Sequence, residues 1–398
     1  MIRHLFKLVW HRKRTNGLLI FEIFCSFLVL FAVATLGIFL MDNYRRPLGF
    51  AWNAVWNVRV ATGASEDAPS DAEQVELFAR VLREVRGLDE VESAAGCSGA
   101  PYDSSTWLNS FRVDGGREVT VEVISATDDL PQVLGLNLVR GRWFEAADSS
   151  HPWRAVVIDG DLSAELFGAE DPVGKKLPDG DEGEGARVVG VIAEFRKGGE
   201  LSAPGFFMAE RAPLDAALQN PPRNLLLKIR PGTRPEFEQQ LVARMQAVAP
   251  QWTFEVDPLS KLREKSLRMR LAPLIAGAVI AGFLMTMVAL GLLGVLWQNV
   301  TQRTREFGLR RAVGASGGDV RRQVQIELFL MTTLGCVLGA IVVVQIPIMN
   351  FLTIISDRVF AIGLVASAVA IYSLSAVCGL YPSWLATRVQ PVEALHYD

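Results

Sequence analysis

The segment TQRTREFGLRRAVG, residues 301–314, alternates charge, carries two glycines and lies between two long apolar runs. Residues 271–297 are 27 positions without a charge, and residues 328–351 are equally uncharged. About 20 such residues in a helix cross a hydrocarbon core, so both runs can span and the segment is a loop at a membrane face. Glu306 precedes Arg310 by four positions, the favourable order for an ion pair on one helical face. With Phe307 and Val313 as scattered apolar contacts, a short helix lying on the membrane surface fits. Gly314 can stop it, and Ser316 with Asp319 has the spacing of a capping box that opens the next helix. The plainer alternative is a basic anchor for anionic lipid, which needs only lysine and arginine in any order.

The whole chain of 398 residues is half hydrophobic, too apolar for an ordinary soluble protein and too charged for a many-span channel. Residues 42–260 hold 22 Lys+Arg against 35 Asp+Glu, while the remainder holds 18 against 8. Four spans account for this segregation: residues 17–41, 271–297, 324–351 and 359–381. Arg3, Lys7, Arg12, Lys13 and Arg14 precede the first, and Arg303, Arg305, Arg310, Arg311, Arg321 and Arg322 fill residues 298–323. Positive charge marks the cytoplasmic side, so residues 1–16, 298–323 and 382–398 are expected inside and the acidic residues 42–270 outside. Lys261, Arg263, Lys265, Arg268 and Arg270 crowd the outer end of the second span against that rule. A stalk helix at about 258–270 would keep them in water, and long domains translocate regardless of such charge. Ala32-Val33-Ala34 offers a signal-peptide cleavage site, but the apolar run continues through Met41 and favours an uncleaved anchor.

Within the spans, Glu22 is a functional candidate because a charge is costly in hydrocarbon, yet it can reach headgroups or pair with Arg12 or Arg14. Glu327 sits similarly at the inner end of the third span. Gly335 and Gly339 form a G-x-x-x-G, which permits close helix approach.

The external region is framed by two βαβ-like units. Residues 57–60, 72–86 and 91–95 form the first, and residues 225–229, 235–248 and 252–256 the second, with Val75, Phe78, Ala79, Leu82 and Phe237, Leu241, Met245 at helical spacing. Such a pair predicts a ferredoxin-like split βαβ subdomain. Between them, about residues 102–220, strands at 111–113, 119–125, 155–159 and 187–192 with a short helix at 162–167 predict a second, mostly β subdomain. Cys97 is the single external cysteine, so no disulfide forms within this domain. Residues 180–185 are acidic and glycine-rich but lack the ordered ligands of a calcium loop. Residues 168–176 have five residues between glycines and lysine in place of Ser/Thr, so they are not a Walker motif. The four histidines, His4, His11, His151 and His396, are too dispersed for a zinc site. Catalysis by this chain is not expected, and no cofactor or metal is expected on it.

Glu306 to Ser316, followed by Val320, Val324 and Glu327, resembles the signature loop of FtsX-like permeases, the membrane subunits of MacB-type ABC transporters; Phe307 stands where that family usually has isoleucine. Gly379, Pro382, Ala386, Pro391, Ala394 and Leu395 resemble the family's closing pattern. Leu138 to Phe144, Ala155 to Asp159, Glu165 to Lys175 and Val188 to Val191 are similar to its periplasmic core domain. The resemblance implies an α-helical inner-membrane protein of four transmembrane helices with a large extracytoplasmic α+β domain and both termini cytoplasmic. It implies a separate cytoplasmic ATPase carrying ATP and Mg, felt through Arg303, Arg305, Glu306, Phe307, Gly308, Leu309, Arg310, Arg311 and Gly314. It further implies a second permease in a homodimer or heterodimer, a periplasmic partner, lipid contacts and no nucleic acid. In the family the outward stroke drives export, releases lipoproteins or activates a cell-wall hydrolase. An ATP-independent sensor or scaffold is the competing class, and Glu306 discriminates, because a lipid anchor has no use for an acid amid arginines. A membrane-anchored enzyme would need an external catalytic cluster, which the sequence does not offer.

Overall fold

A computed structural model describes residues 13–62, 70–103, 106–113, 117–178, 185–215, 221–302, 309, 313, 316–349 and 355–387. Its elements run α1 (Lys13–Tyr44), β1 (Val55–Thr62), α2 (Asp71–Arg86), β2 (Val91–Cys97), β3 (Leu108–Val113), β4 (Arg117–Ala126), α3 (Leu130–Leu134), β5 (Leu138–Gly141), β6 (Arg154–Asp159), α4 (Gly160–Phe167), β7 (Ala186–Ile192), β8 (Phe206–Arg211), β9 (Asn224–Ile229), α5 (Phe237–Val248), β10 (Trp252–Pro258), α6 (Leu259–Gln302), α7 (Gly317–Ile348) and α8 (Asp357–Thr387). The chain divides into Met1–Asp42 with Leu271–Asp398, and Asn43–Arg270.

In the first unit, α1, α6, α7 and α8 are long and apolar enough to cross a membrane by length and composition. At 44 residues α6 is about twice the length a bilayer core needs, and its first turns belong to the second unit.

In the second unit the strand order β10-β1-β9-β2, antiparallel throughout, is that of a ferredoxin-like split βαβ pair. The apolar positions of α2 and α5 recur every three or four residues, so Val75, Phe78, Leu82, Leu241 and Met245 meet Val58, Val60, Leu225 and Leu227 in one core. Ser70 caps α2 reciprocally with Glu73: the Glu73 amide donates to the serine hydroxyl, and the Ser70 amide donates to the carboxylate at 2.8 Å.

Between β2 and β9 the chain builds the mostly β insertion. Strand β4 pairs parallel with β8, β8 antiparallel with β6, β6 parallel with β7 and β7 antiparallel with β5. A single pair, Cys97 with Ala126, links β2 to β4, so both subdomains share one ten-stranded sheet. Neither β8 nor α3 is anticipated by pattern. Residues 206–211 run FFMAER without alternation, and five residues of α3 are too few to display a helical period.

The stretch 138–144 shows what its residues do locally. Gly141 has φ +67°, and a side chain there would run into the Val189 carbonyl, so the turn after β5 requires glycine. Arg142 then donates through Nη1 and Nη2 to the buried Asp148 carboxylate at 2.7 and 2.6 Å, and the Glu145 amide donates to the same group at 2.9 Å. The Arg142 bonds hold the Asp148 carboxyl below its ordinary range. Arg142→Met leaves that carboxylate buried without its cation and should destabilise the chain by about 3 kcal/mol, read as a lowered melting temperature in detergent. An unchanged melt would show that the pair contributes nothing.

Candidate coupling segment and membrane bundle

Helix α6 ends at Gln302, where the Thr301 hydroxyl donates back to the Trp297 carbonyl at 2.9 Å. Arg303, Arg305, Glu306, Phe307, Gly308, Arg310, Arg311 and Gly314 lie outside the described residues. Leu309 and Val313 are described: the Val313 amide donates to the Leu309 carbonyl at 3.1 Å, the bond of a helical turn, and the two side chains are 59% and 83% exposed. Ser316 then caps α7, its hydroxyl accepting from the Asp319 amide at 3.2 Å while its own amide donates to the Asp319 carboxylate at 3.0 Å. Arg321 and Arg322 are exposed on the first turns of α7. Glu327 is half-buried and accepts from Gln323 Nε2 at 3.2 Å.

Helix α1 packs against the other three helices, and glycines permit the approach. A Cβ on Gly339 would overlap the Phe27 ring, and one on Gly335 would lie 2.6 Å from Ile23 Cγ2 and 3.2 Å from the Ile20 carbonyl oxygen. The G-x-x-x-G is therefore used inside the chain, as the seat of α1 on α7. Gly291 of α6 faces the half-buried Glu22 carboxylate, and Gly379 of α8 faces Leu328. Arg12 and the Arg14 side chain, expected beside Glu22, fall outside the described atoms, as does the side chain of Pro382, which lies within α8. Helices α7 and α8 are further joined by the Thr332–Ser375 hydroxyl pair at 2.9 Å and the Thr333–Tyr372 pair at 2.7 Å.

Nothing in the second unit assembles a catalytic constellation among the described residues. Burial pushes the Cys97 thiol up to about 12, which removes it as a nucleophile. A cavity of about 480 Å³ is lined by Asp148, His151, Trp153, Arg154, Glu210 and Arg211, but its charges are paired: Arg154 with Glu210, and Arg211 with Asp128. Among the described residues no three His, Cys, Asp or Glu side chains are placed to hold a metal ion. Of the five basic residues at the start of α6, three pair with acids: Lys261 with Asp257 and Arg268 with Glu264 one turn away, and Arg263 with Glu200. One cluster escapes sequence reasoning: Arg196 and Lys197, in the run EFRKGGE at 194–200, are buried. A charge run of that kind reads as solvated loop, and only the Gly-Gly at its centre hints at close backbone contact.

Residues 23–244 match the MacB-like periplasmic core domain family, and residues 278–391 match the FtsX-like permease C-terminal family. Among curated proteins, the chain is 28% identical over 281 residues to a macrolide export ATP-binding/permease protein, MacB 2, of Aeromonas hydrophila, covering 69% of this chain and 43% of that protein. A MacB of Bordetella avium is 26% identical over 282 residues, covering 67% of this chain and 42% of its own length. The chain thus spans less than half the length of these relatives. The crystal structure of the periplasmic region of MacB from Actinobacillus actinomycetemcomitans is similar at 14% identity, covering 57% of this chain and 96% of that one with a TM-score of 0.39. With one family match over more than half of its residues and a second over the apolar helices that follow, the chain belongs to the family of permeases that join a MacB-like periplasmic core domain to an FtsX-like C-terminal region.

Proposed function

We propose that this chain is the membrane subunit of an ABC transporter and converts ATP hydrolysis by a separate cytoplasmic ATPase into movement of its outer domain. The observation that carries this reading is the segment between α6 and α7. It combines Leu309 and Val313, exposed on one helical turn, with the Glu306–Arg310 pairing order and a capped start to the next helix. An amphipathic turn with an acid among arginines suits a groove on a protein partner, whereas a lipid surface selects for basic charge alone. Arg303, Arg305, Phe307, Gly308, Arg311 and Gly314 complete the contact.

The orientation follows: the termini and this segment are cytoplasmic and residues 43–270 are outside. Pairing of Lys261, Arg263 and Arg268 with acids supports it, because those charges serve the outer unit's own fold. Two permease chains and two ATPases form the working unit, and the spans transmit force instead of lining a solute path. The curated relatives are named for macrolide export, and outward work on an envelope substrate is the activity carried to this chain.

The test is a detergent pull-down of the tagged full chain from its native membrane, comparing wild type with Glu306→Lys and with Arg310→Ala/Arg311→Ala. A nucleotide-binding subunit should copurify with wild type and be lost or strongly depleted with Glu306→Lys, while all three chains remain in the membrane. Absence from wild type would favour the ATP-independent sensor.

A further inference from the structure

Arg196 lies in the connection between β7 and β8 with its side chain 1% exposed, and its guanidinium reaches main-chain carbonyls on separate parts of the chain. Its Nη1 donates to Asn43 at 2.8 Å and to Arg46 at 3.5 Å, while Nη2 donates to Glu200 at 2.8 Å and to Ser202 at 2.5 Å. The Arg196 amide also donates to the Leu48 carbonyl at 3.1 Å. Asn43 belongs to the last turn of α1, and Arg46 and Leu48 follow it directly. On the other side, Arg263 of α6 donates to Glu200 Oε1 at 2.5 Å and stacks over Trp52, and the Ser266 hydroxyl of α6 donates to the Gly198 carbonyl at 3.4 Å. The loop is tied onward into the inserted β part: Lys197 donates to Glu122 of β4 at 2.8 Å, and the Tyr102 amide donates to the Lys197 carbonyl at 2.7 Å. Gly49, at φ +85°, lets the chain after α1 press on the Glu194 carbonyl, where any side chain would collide.

Burying two cations side by side is costly, and apolar residues of similar volume would fill the space more cheaply. What a guanidinium adds is a fixed fork of donors that reads the positions of several carbonyls at once, which neither a lysine nor an apolar side chain can do. We propose that the loop 194–202, centred on Arg196, is the joint through which the outer ends of both α1 and α6 move the inserted β subdomain. This deepens the force-transmission reading above and rests on it for its purpose. The joint itself is a matter of rigidity.

The experiment places spin labels at Met269→Cys on α6 and Val139→Cys on β5, both exposed, in the full chain with its four native cysteines replaced. Wild type should give one narrow distance distribution. Arg196→Met and Arg196→Lys should lose it to a broad one, because lysine keeps the charge but not the fork. Arg263→Gln, at a half-buried side chain that folding tolerates more readily, cuts only the α6 side and should broaden the distribution as well. Narrow distributions in all three variants would overturn the joint. Adding the copurifying ATPase and a non-hydrolysable ATP analogue should shift the wild-type distance and leave the variants unshifted. No shift in wild type would sink force transmission, while the nucleotide-free widths would still decide the joint.

Discussion

Gly339→Leu should cost the membrane bundle about 3 kcal/mol or more and release α1 from α7. Even a Cβ at this position overlaps the Phe27 ring, which is 1% exposed and belongs to the buried face that α1 builds from Leu19, Ile23, Phe27 and Phe31. Phe27 cannot swing aside into open space. In lipid there is little hydrophobic force to hold helices together, so close packing supplies the association and a wedge at its centre is felt in full. Gly335→Leu meets Ile23 and the Ile20 carbonyl oxygen and should behave in the same way, since a backbone atom yields less than a side chain. Gly282→Ala and Gly294→Ala provide the contrast, because nothing lies within 4 Å of a Cβ at either position and alanine favours the helix by up to about 1 kcal/mol. Thermal melts of the four variants in detergent separate the outcomes. A Gly339→Leu protein that melts with wild type would mean that α1 does not seat on α7 through these glycines.

The same pair shows how far the sequence carries. The G-x-x-x-G is visible as a spacing, but its partner, Phe27, sits in a different helix far away in the chain, and no local pattern connects them. Apolar runs of membrane length are legible because burying a helix in lipid depends on composition over about 20 residues. The ferredoxin-like half is legible for a related reason. Val75, Phe78 and Leu82 announce an amphipathic helix between two strands, and a second unit of the same kind restricts the topology. The insertion is less so, since the parallel pairing of β4 with β8 and of β6 with β7 is settled by contacts distant in sequence. Least legible is the run at 194–200, because charge normally signals solvent. Arg196 and Lys197 are buried only because the carbonyls at the end of α1 and just beyond it, and the Glu122 carboxylate, wait for them. Of the segment between α6 and α7, the order of charges and the cap at Ser316 are readable locally.

The stability of the second unit, Asn43–Arg270, should fall as pH rises from about 4 to about 7, and Asp159→Asn should remove most of that dependence. Asp159 ends β6 and caps α4, with Oδ1 accepting from the Leu162 amide at 3.0 Å, while Oδ2 is buried with no hydrogen-bond partner. Burial pushes its carboxyl up from 3.8 to about 7, and Asp161 and Glu194 push in the same direction against the Leu162 and Phe207 amides. The folded chain therefore holds a proton between pH 4 and 7 that the unfolded chain has already released, so stability decreases with pH across that window and is flat above it. A shift of this size corresponds to a loss on the order of 4 kcal/mol between pH 4 and pH 8. Glu194, also raised by burial and only partly offset by Arg196, adds a smaller slope of the same sign. Asparagine keeps an acceptor for the Leu162 amide and carries no charge at any pH, so it preserves the cap while removing the titration. Wild type should accordingly melt at a lower temperature at pH 8 than at pH 5, with the variant's two melting temperatures much closer together. Parallel pH profiles for the two proteins would show that Asp159 is already ionised and solvated in the folded chain.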